Sequence, residues 1–426
     1  MLKRLLALVL CLSLMLPALA FADDYDDEDE EDEIGIEELI IEEIELEELN
    51  DDDSSDELLG TFSDAEKMAF DDAMVYGSDD EVDLKLNTNL PTDEWINILL
   101  LGLDVRGTKE IKLLKDQQGK YSTRADVQII LSINQLDGSV KLTSISRNTE
   151  VSIPADGRSK STIIANSYGY AVYKNNEYHH FVETPNVCMA TVNYNFGMNI
   201  EHYVAINYYG VASIIEYLGG VDLELTKAEA KAINTFLSMR NLYATDSSGN
   251  KVRISHGRQI ANTYDDKNGE RDPLAEKDGV QHLDGIQALI YARTRKIDND
   301  YQRTGRTRKL LSALLTKAVG KINAHELDIM DLLNLIPKYF IVDRNMNLQY
   351  MANLATVFLR SDLVKNMDAA DSLVEEFRLP MDGSCYDPYR TGEAKVSMER
   401  FKKGMKQENL SALQEFIYGF DYGTIY

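Results

Sequence analysis

Cysteine is scarce in this 426-residue chain: there are three, at Cys11, Cys188 and Cys385. Cys11 lies inside an N-terminal apolar run, and the Leu8–Cys11 segment around it is a poor lipid-attachment site. The remaining pair is too few for a disulfide framework. Cys188 and Cys385 read equally as one bridge or as two free thiols. Histidine is also rare, with six in the chain and none at metal-ligand spacing, which argues against an imidazole-based metal centre. No Ser–His pair suggests an activated nucleophile. Outside Leu5–Ala22 no stretch is apolar enough to span a bilayer. Basic residues are absent between Asp23 and Glu57.

Charge is abundant but unevenly placed. The formal net charge is −28. Residues 23–57 hold 22 Asp or Glu, and residues 58–426 hold 42 basic and 50 acidic residues, a net −8. So dense a block of one sign repels itself and resists collapse, so 23–57 reads as a disordered acidic tail. It serves either as a solvated spacer or as a competitor for an anionic ligand. Ahead of it, Lys3 and Arg4 precede an 18-residue apolar run and Ala-x-Ala patterns at Ala18–Ala22. This is the pattern of a secretory signal peptide over 1–22, with an uncleaved membrane anchor as the alternative. The protein is therefore expected outside the cytoplasm, secreted or held by its N-terminal segment. Export and acidity, with no aromatic-basic patch, leave nucleic acid a poor fit.

The rest is layered. Residues 58–93 read as a linker with a short helix, since Ser63–Glu66 forms a capping box. Beyond them, "INILLLGLD" is an unbroken apolar run of buried-strand type. "DVQIILSIN" and "SVKLTSIS" flank Asp137-Gly138, a hairpin signal. If those two residues are the turn, Arg147 sits opposite Gln128. "HYVAINYYGVASIIEYLGGVDLEL" reads as strand, helix, Gly-Gly stop and strand. The expected fold is α/β, a mixed sheet with an antiparallel hairpin and helices on both faces. It occupies 94–320, interrupted by an insertion at 226–280, and a helical extension follows over 321–426.

Charged residues cluster at expected strand ends. Asp104 and Arg106 follow the first buried strand. The period of two sets Arg124, Asp126 and Arg147 on one face at the hairpin's open end. Ligands of α/β sheets commonly bind at strand ends. A second concentration is "YARTRKIDNDYQRTGRTRKLL", residues 291–311, with five arginines. Arg303 and Arg306 lie seven and four residues before Leu310, along the buried stripe of a new helix. Cations in a first helical turn oppose the dipole, unless an anion sits among them. Salt bridges to Asp298 and Asp300 explain the same arginines equally well. The pair Asp104 and Asp126 suits Mg²⁺ bridging a pyrophosphate, or ion pairing with Arg106 and Arg124.

Five segments in order, "ILLLGLDVR", "RADVQIILSIN", "LTSISRNTEVSIP", "NFGMNIEHYVAINYYGVASIIEYLGGVDLEL" and "HLDGIQALIYARTRKIDNDYQRTGRTRKLL", resemble the LytR-CpsA-Psr family of cell-envelope proteins. The resemblance covers about 95–315, and the C-terminal part is similar to the tail some members carry. It implies a sheet flanked by helices and a long apolar pocket for a polyprenyl chain. It implies an extracytoplasmic phosphotransferase that moves an anionic glycopolymer, of teichoic acid or capsular type, from a polyprenyl pyrophosphate carrier to a peptidoglycan sugar hydroxyl at the membrane surface. By matching motifs, Asp104 and Asp126 would hold Mg²⁺ or Mn²⁺. Arg106, Arg124, Arg147, Arg293, Arg295, Arg303 and Arg306 would meet the pyrophosphate, with Asp300 orienting them. Asp126, Arg147, Arg293 and Arg303 would be catalytic. The family's Pro-Arg-Asp is here Ser146-Arg147-Asn148, Gln302 replaces a common Gly, and Thr307 a common Gln.

In such a transfer the charge sits on phosphate oxygens, so positioning and electrostatics dominate. Two other readings share the site: a non-catalytic binder of polyprenyl-linked wall glycans, favoured by Asn148, and a polyprenyl-pyrophosphate hydrolase. The tail separates its own two readings. A spacer predicts that deleting 23–57 leaves affinity for inorganic pyrophosphate unchanged in calorimetry, whereas tighter binding after deletion identifies competition.

Overall fold

The computed structural model describes residues 59–60, 62–73, 82–104, 124–154, 161–168, 185–238, 273–294, 340–360, 374–388 and 398–425. Short pieces at 172–174, 177–179, 243–245 and 251–253 and single positions between 306 and 326 complete it. The expected signal segment and acidic tail, 1–57, lie outside the described residues. Among the described residues no helix is long and apolar enough to cross a membrane.

A six-stranded mixed sheet is the frame. Its strands are β1 (Trp95–Asp104), β2 (Arg124–Asn134), β3 (Val140–Ile145), β6 (His202–Asn207), β9 (Phe340–Val342) and β10 (Val374–Leu379). Two small pairs complete the strand set used below, β4 (Glu150–Ser152) with β5 (Ser161–Ile163) and β7 (Val221–Leu225) with β8 (Gly279–Leu283). Across the sheet the order is β9-β6-β1-β2-β3-β10. β1 runs parallel to β6 and antiparallel to β2, and β3 runs parallel to β10. The C-terminal ends of β1, β3, β6 and β10 and the start of β2 therefore share one rim.

The unbroken apolar run of β1 follows from burial on both faces. Ile98 and Leu100 enter one core cluster, and Leu99, Leu101 and Leu103 the other. Burying each such leucine stabilises the fold by about 1.5–3 kcal/mol. The first cluster is covered by α3 (Tyr208–Tyr217), α4 (Lys227–Ser238), α5 (Gly285–Arg293) and α6 (Leu348–Arg360), with α1 (Asp64–Ala73) adding Phe70. The second lies under α2 (Pro185–Phe196), α7 (Met405–Tyr418) and a 3₁₀ turn at Ile164–Ser167. The sheet with helices on both faces is the expected architecture.

Two expectations change. Asp137-Gly138 is not a two-residue turn. A type I′ turn needs positive φ at both central residues, and of the two only Gly138 has it, at 72°. Asn134 Oδ1 accepts the Leu136 N–H and Asp137 Oδ1 accepts the Ser139 N–H, so the loop spans 135–138. The register moves by two, and Gln128 pairs with Ile145 rather than lying opposite Arg147. A shift of two keeps each side chain on its face. The 321–426 segment is not merely helical, for it supplies β9 and β10, the edges of the sheet. Of the two readings of Cys188 and Cys385, the one without a bridge holds: no disulfide joins them. Cys188 is buried beside Ser167, and burial pushes its thiol up to about 12.

The Gly-Gly stop behaves as expected. Gly219 and Gly220 follow α3 with φ of 83° and 74° and turn the chain into β7. Asp284 caps α5, accepting from Ile286 and Gln287 N–H groups, and Gln287 Oε1 accepts back from Asp284 N–H. The next residue, Gly285, lies so close to α3 that a Cβ there would meet the Ala212 carbonyl oxygen at 2.1 Å. Backbone cannot yield as a flexible side chain can. Gly285→Ala is expected to separate α3 from α5 and cost roughly 3 kcal/mol, the upper part of the overpacking range, read as a lowered Tm in thermal unfolding.

Candidate active site

The rim carries the charged residues. β1 and β2 stay in register from Trp95–Asn134 to Gly102–Val127, and then Leu103 pairs with Ala125. Asp126 is the extra residue, a β-bulge. Bulges of this kind re-aim a side chain and are common beside active sites. The packing records the slip. Val127, Ile129 and Leu131 belong to the first core cluster, but Ala125 joins Ile130 in the second. Strict alternation, which would set Arg124 on Asp126's face, therefore fails between them. Arg124 is instead in register with Asp104, the last residue of β1.

Arg147 comes from the end of β3. Its Nη1 lies 3.1 Å from Asp126 Oδ2. The corrected register explains this, since two residues beyond the Gln128–Ile145 pair stand Asp126 and Arg147. Their side chains are 15% and 26% exposed, so the pair is dry enough to hold its geometry and open enough to meet a ligand.

The loop bearing Arg147 is tied on three sides. Ser146 N–H donates to the Leu379 carbonyl of β10 at 2.8 Å. Proline, which the family resemblance places here, has no N–H to give. Ala165 N–H donates to the Arg147 carbonyl at 3.2 Å, which joins the loop to the 3₁₀ turn. Glu399 N–H donates to the Asn148 carbonyl, and Glu150 N–H donates to the Glu399 carbonyl. Arg400 then grips Glu150 with both prongs, Nε to Oε2 at 2.5 Å and Nη2 to Oε1 at 2.8 Å. The Arg400 guanidinium holds the Glu150 carboxyl below the usual glutamate range.

The arginine segment begins at the end of α5. Arg293 ends α5, and Thr294 follows as its C-cap. Arg306 is helical and 2% exposed, on one stripe with buried Leu310 and Leu314. Its Nη2 donates to the Thr294 carbonyl at 2.6 Å, and its Nη1 lies 3.5 Å from Glu229 Oε1. The sequence offered Asp298 and Asp300 as carboxylate partners for this segment. Among the described residues the carboxylate facing Arg306 is Glu229, from α4, inside the expected insertion, and Asp298 lies outside the described residues. Arg106, Arg295, Asp300 and Arg303 lie outside the described residues.

Asp126 and Arg147 thus meet at the rim, and Arg124 ends the same strand pair in register with Asp104. What the sequence reading missed are the supports: Glu229, Glu150 and Arg400. Glu229 had one signal, the Thr226-x-x-Glu229 capping box, which forms: Glu229 Oε2 accepts from Thr226 N–H at 2.8 Å. Nothing in the sequence linked it to Arg306. Among the described residues no three His, Cys, Asp or Glu side chains form a metal cage.

A model of the LytR_cpsA_psr family matches residues 60–403. The polyisoprenyl-teichoic acid–peptidoglycan teichoic acid transferase TagT of Bacillus subtilis is 25% identical over 243 residues, covering 57% of this chain and 58% of that protein. TagU of Enterococcus faecalis, of the same description, is 26% identical over 238 residues, covering 55% and 58%. The chain thus spans less than two thirds of the length of either relative. Among solved structures, B. subtilis TagT superposes with a TM-score of 0.43 at 18% identity, covering 81% of this chain and 99% of that one.

The Glu150–Arg400 contact gives a pH test. Glu150's carboxyl sits lower when folded than its ordinary 4.5. Its stabilisation is therefore full above about 4.5 and lost as pH falls through the depressed value. Glu150→Gln is expected to lower Tm at pH 7, with the gap to the parent closing as the pH of calorimetric scans drops towards 3.

Proposed function

The chain belongs to the LytR-CpsA-Psr family, and from that premise we propose that it transfers an anionic cell-wall glycopolymer from a polyprenyl pyrophosphate carrier to a peptidoglycan sugar hydroxyl, outside the cytoplasm. The observation that carries the reading is the Asp126–Arg147 pair at the bulged rim of the sheet. An anion-gripping guanidinium and a carboxylate, held together at strand ends, are the groups phosphoryl transfer uses. The relatives' description as teichoic acid transferases supports the same reaction.

The roles follow from the chemistry. Arg124 and Arg147 receive pyrophosphate oxygens at the rim, and Arg293, Arg295 and Arg303 receive them from the arginine segment, with Arg106 as a further contact. The acceptor hydroxyl attacks the phosphorus that bears the glycopolymer. The new O–P bond forms as the bond to the bridging oxygen breaks, and polyprenyl phosphate leaves. The hydroxyl proton passes to the Asp126 carboxylate. Arg147 is held by its loop before substrate arrives, so little reorganisation accompanies charge development.

Asp104 and Asp126 are hard oxygen donors, and Mg²⁺ commonly uses one or two carboxylates with substrate phosphates rather than a protein cage. The donor set fits Mg²⁺ or Mn²⁺, which would neutralise pyrophosphate charge. Asp300 would orient the arginine segment.

The test is incubation with a polyprenyl-pyrophosphoryl glycan and peptidoglycan fragments, with Mg²⁺ or chelator. Metal-dependent joining of glycan to fragment is expected. Tight binding without product would instead mark a binder, and glycan phosphate released to water a hydrolase. Asp126→Asn and Arg147→Ala are each expected to lower the transfer rate about 10²–10³-fold with the far-ultraviolet circular dichroism unchanged.

A further inference from the structure

Arg306 is a guanidinium withdrawn from solvent, in a segment that the transferase reading assigns to the pyrophosphate. Removing such a charge from water costs several kcal/mol unless partners meet it. Two partners here come from different elements. Thr294, at the end of α5, offers its carbonyl, and Glu229, in the first turn of α4, offers a carboxylate oxygen. Glu229 is itself fixed. Its Oε2 accepts from both the N–H and the hydroxyl of Thr226, at 2.8 and 3.0 Å, leaving Oε1 for Arg306. The side chain is only 13% exposed. A line of contacts thus runs from the start of α4 through Glu229 and Arg306 to the Thr294 carbonyl, one residue beyond Arg293.

We infer that Glu229 is a positioning residue: it holds Arg306, and Arg306 fixes the end of α5 from which Arg293 serves the pyrophosphate. The inference rests on the transferase reading and sharpens it. Arg306 leaves the set of phosphate contacts and becomes the strut behind Arg293. Glu229 neutralises the buried guanidinium and turns its second prong onto the Thr294 carbonyl. Lysine cannot replace this fork, because a single ammonium does not span the two acceptors with fixed geometry. The same contacts explain why Arg306 is buried rather than turned to a phosphate.

The two roles for Arg306 predict opposite signs. If Arg306 touched the pyrophosphate, removing its counter-ion Glu229 would leave binding unchanged or tighten it. If Arg306 is the strut, removing Glu229 weakens binding. The experiment uses the full chain and octaprenyl pyrophosphate in detergent, titrated by calorimetry well below Tm.

Glu229→Gln is expected to raise Kd about ten-fold or more, the scale of an ångström-level misplacement. Arg306→Lys, which keeps the charge, is expected to weaken binding similarly. Together the two changes are expected to weaken it no further than the larger single effect, because residues acting as one unit are not additive. Unchanged or tighter binding by Glu229→Gln overturns the inference, even if its Tm falls. Should that variant not fold, parent-like affinity in Arg306→Lys overturns it. A parent protein that binds no octaprenyl pyrophosphate sinks the transferase reading itself, and the inference with it. A parent that binds but joins nothing to peptidoglycan sinks only transfer.

Discussion

The β1–β2 ladder holds its register over most of its length and then slips by one residue at Asp126. That slip sits at the middle of the sheet, between strands that both core clusters grip. β1 cannot shift to absorb it, because its leucines are locked on both faces. The extra residue must therefore open at the rim, beyond the grip of the two cores. Asp126 is presented there, level with the residue that leaves β3, and the Arg147 pair follows from the pairing.

The distant C-terminal segment completes that arrangement. β10 extends the sheet beside β3 and supplies the carbonyl that receives Ser146 N–H. Residues 399 and 400 then bind the loop from its other side, through backbone bonds and through Arg400 on Glu150. Arg147 is thus held by chain more than 200 residues away in sequence. Preorganisation of this kind is what the proposed phosphate site needs, since the energy of gripping an anion is lost if the guanidinium must first be ordered. The arginine segment uses the same device on the sheet's other face, where Glu229 and the Thr294 carbonyl receive Arg306.

The elements were legible where local physics fixes them. The apolar run of β1 and the strand–helix–Gly-Gly–strand of 202–225 stand where the apolar pattern and the Gly-Gly stop placed them. The family was legible too, in the order of five motifs. Asp126 and Arg147 were named because strand parity survives a register error of two. The hairpin register was misread because Asp-Gly signals a tight turn only when both residues take positive φ, and Asp137 does not. β9 was hidden because three residues are too few to show a period. Arg124's face was misread because a bulge has no sequence signature of its own here.

What the sequence determined by itself is the sheet-and-helix layering and the gathering of charge at strand ends, because burial patterns and charged residues are written in neighbouring positions. What only the tertiary structure decided is which charges meet. Glu229 with Arg306, Arg400 with Glu150, and Asp126 with Arg147 join residues between 21 and 250 positions apart. Such pairs leave no periodic trace along the chain, and only the packed sheet brings their backbones close enough for the charges to find one another.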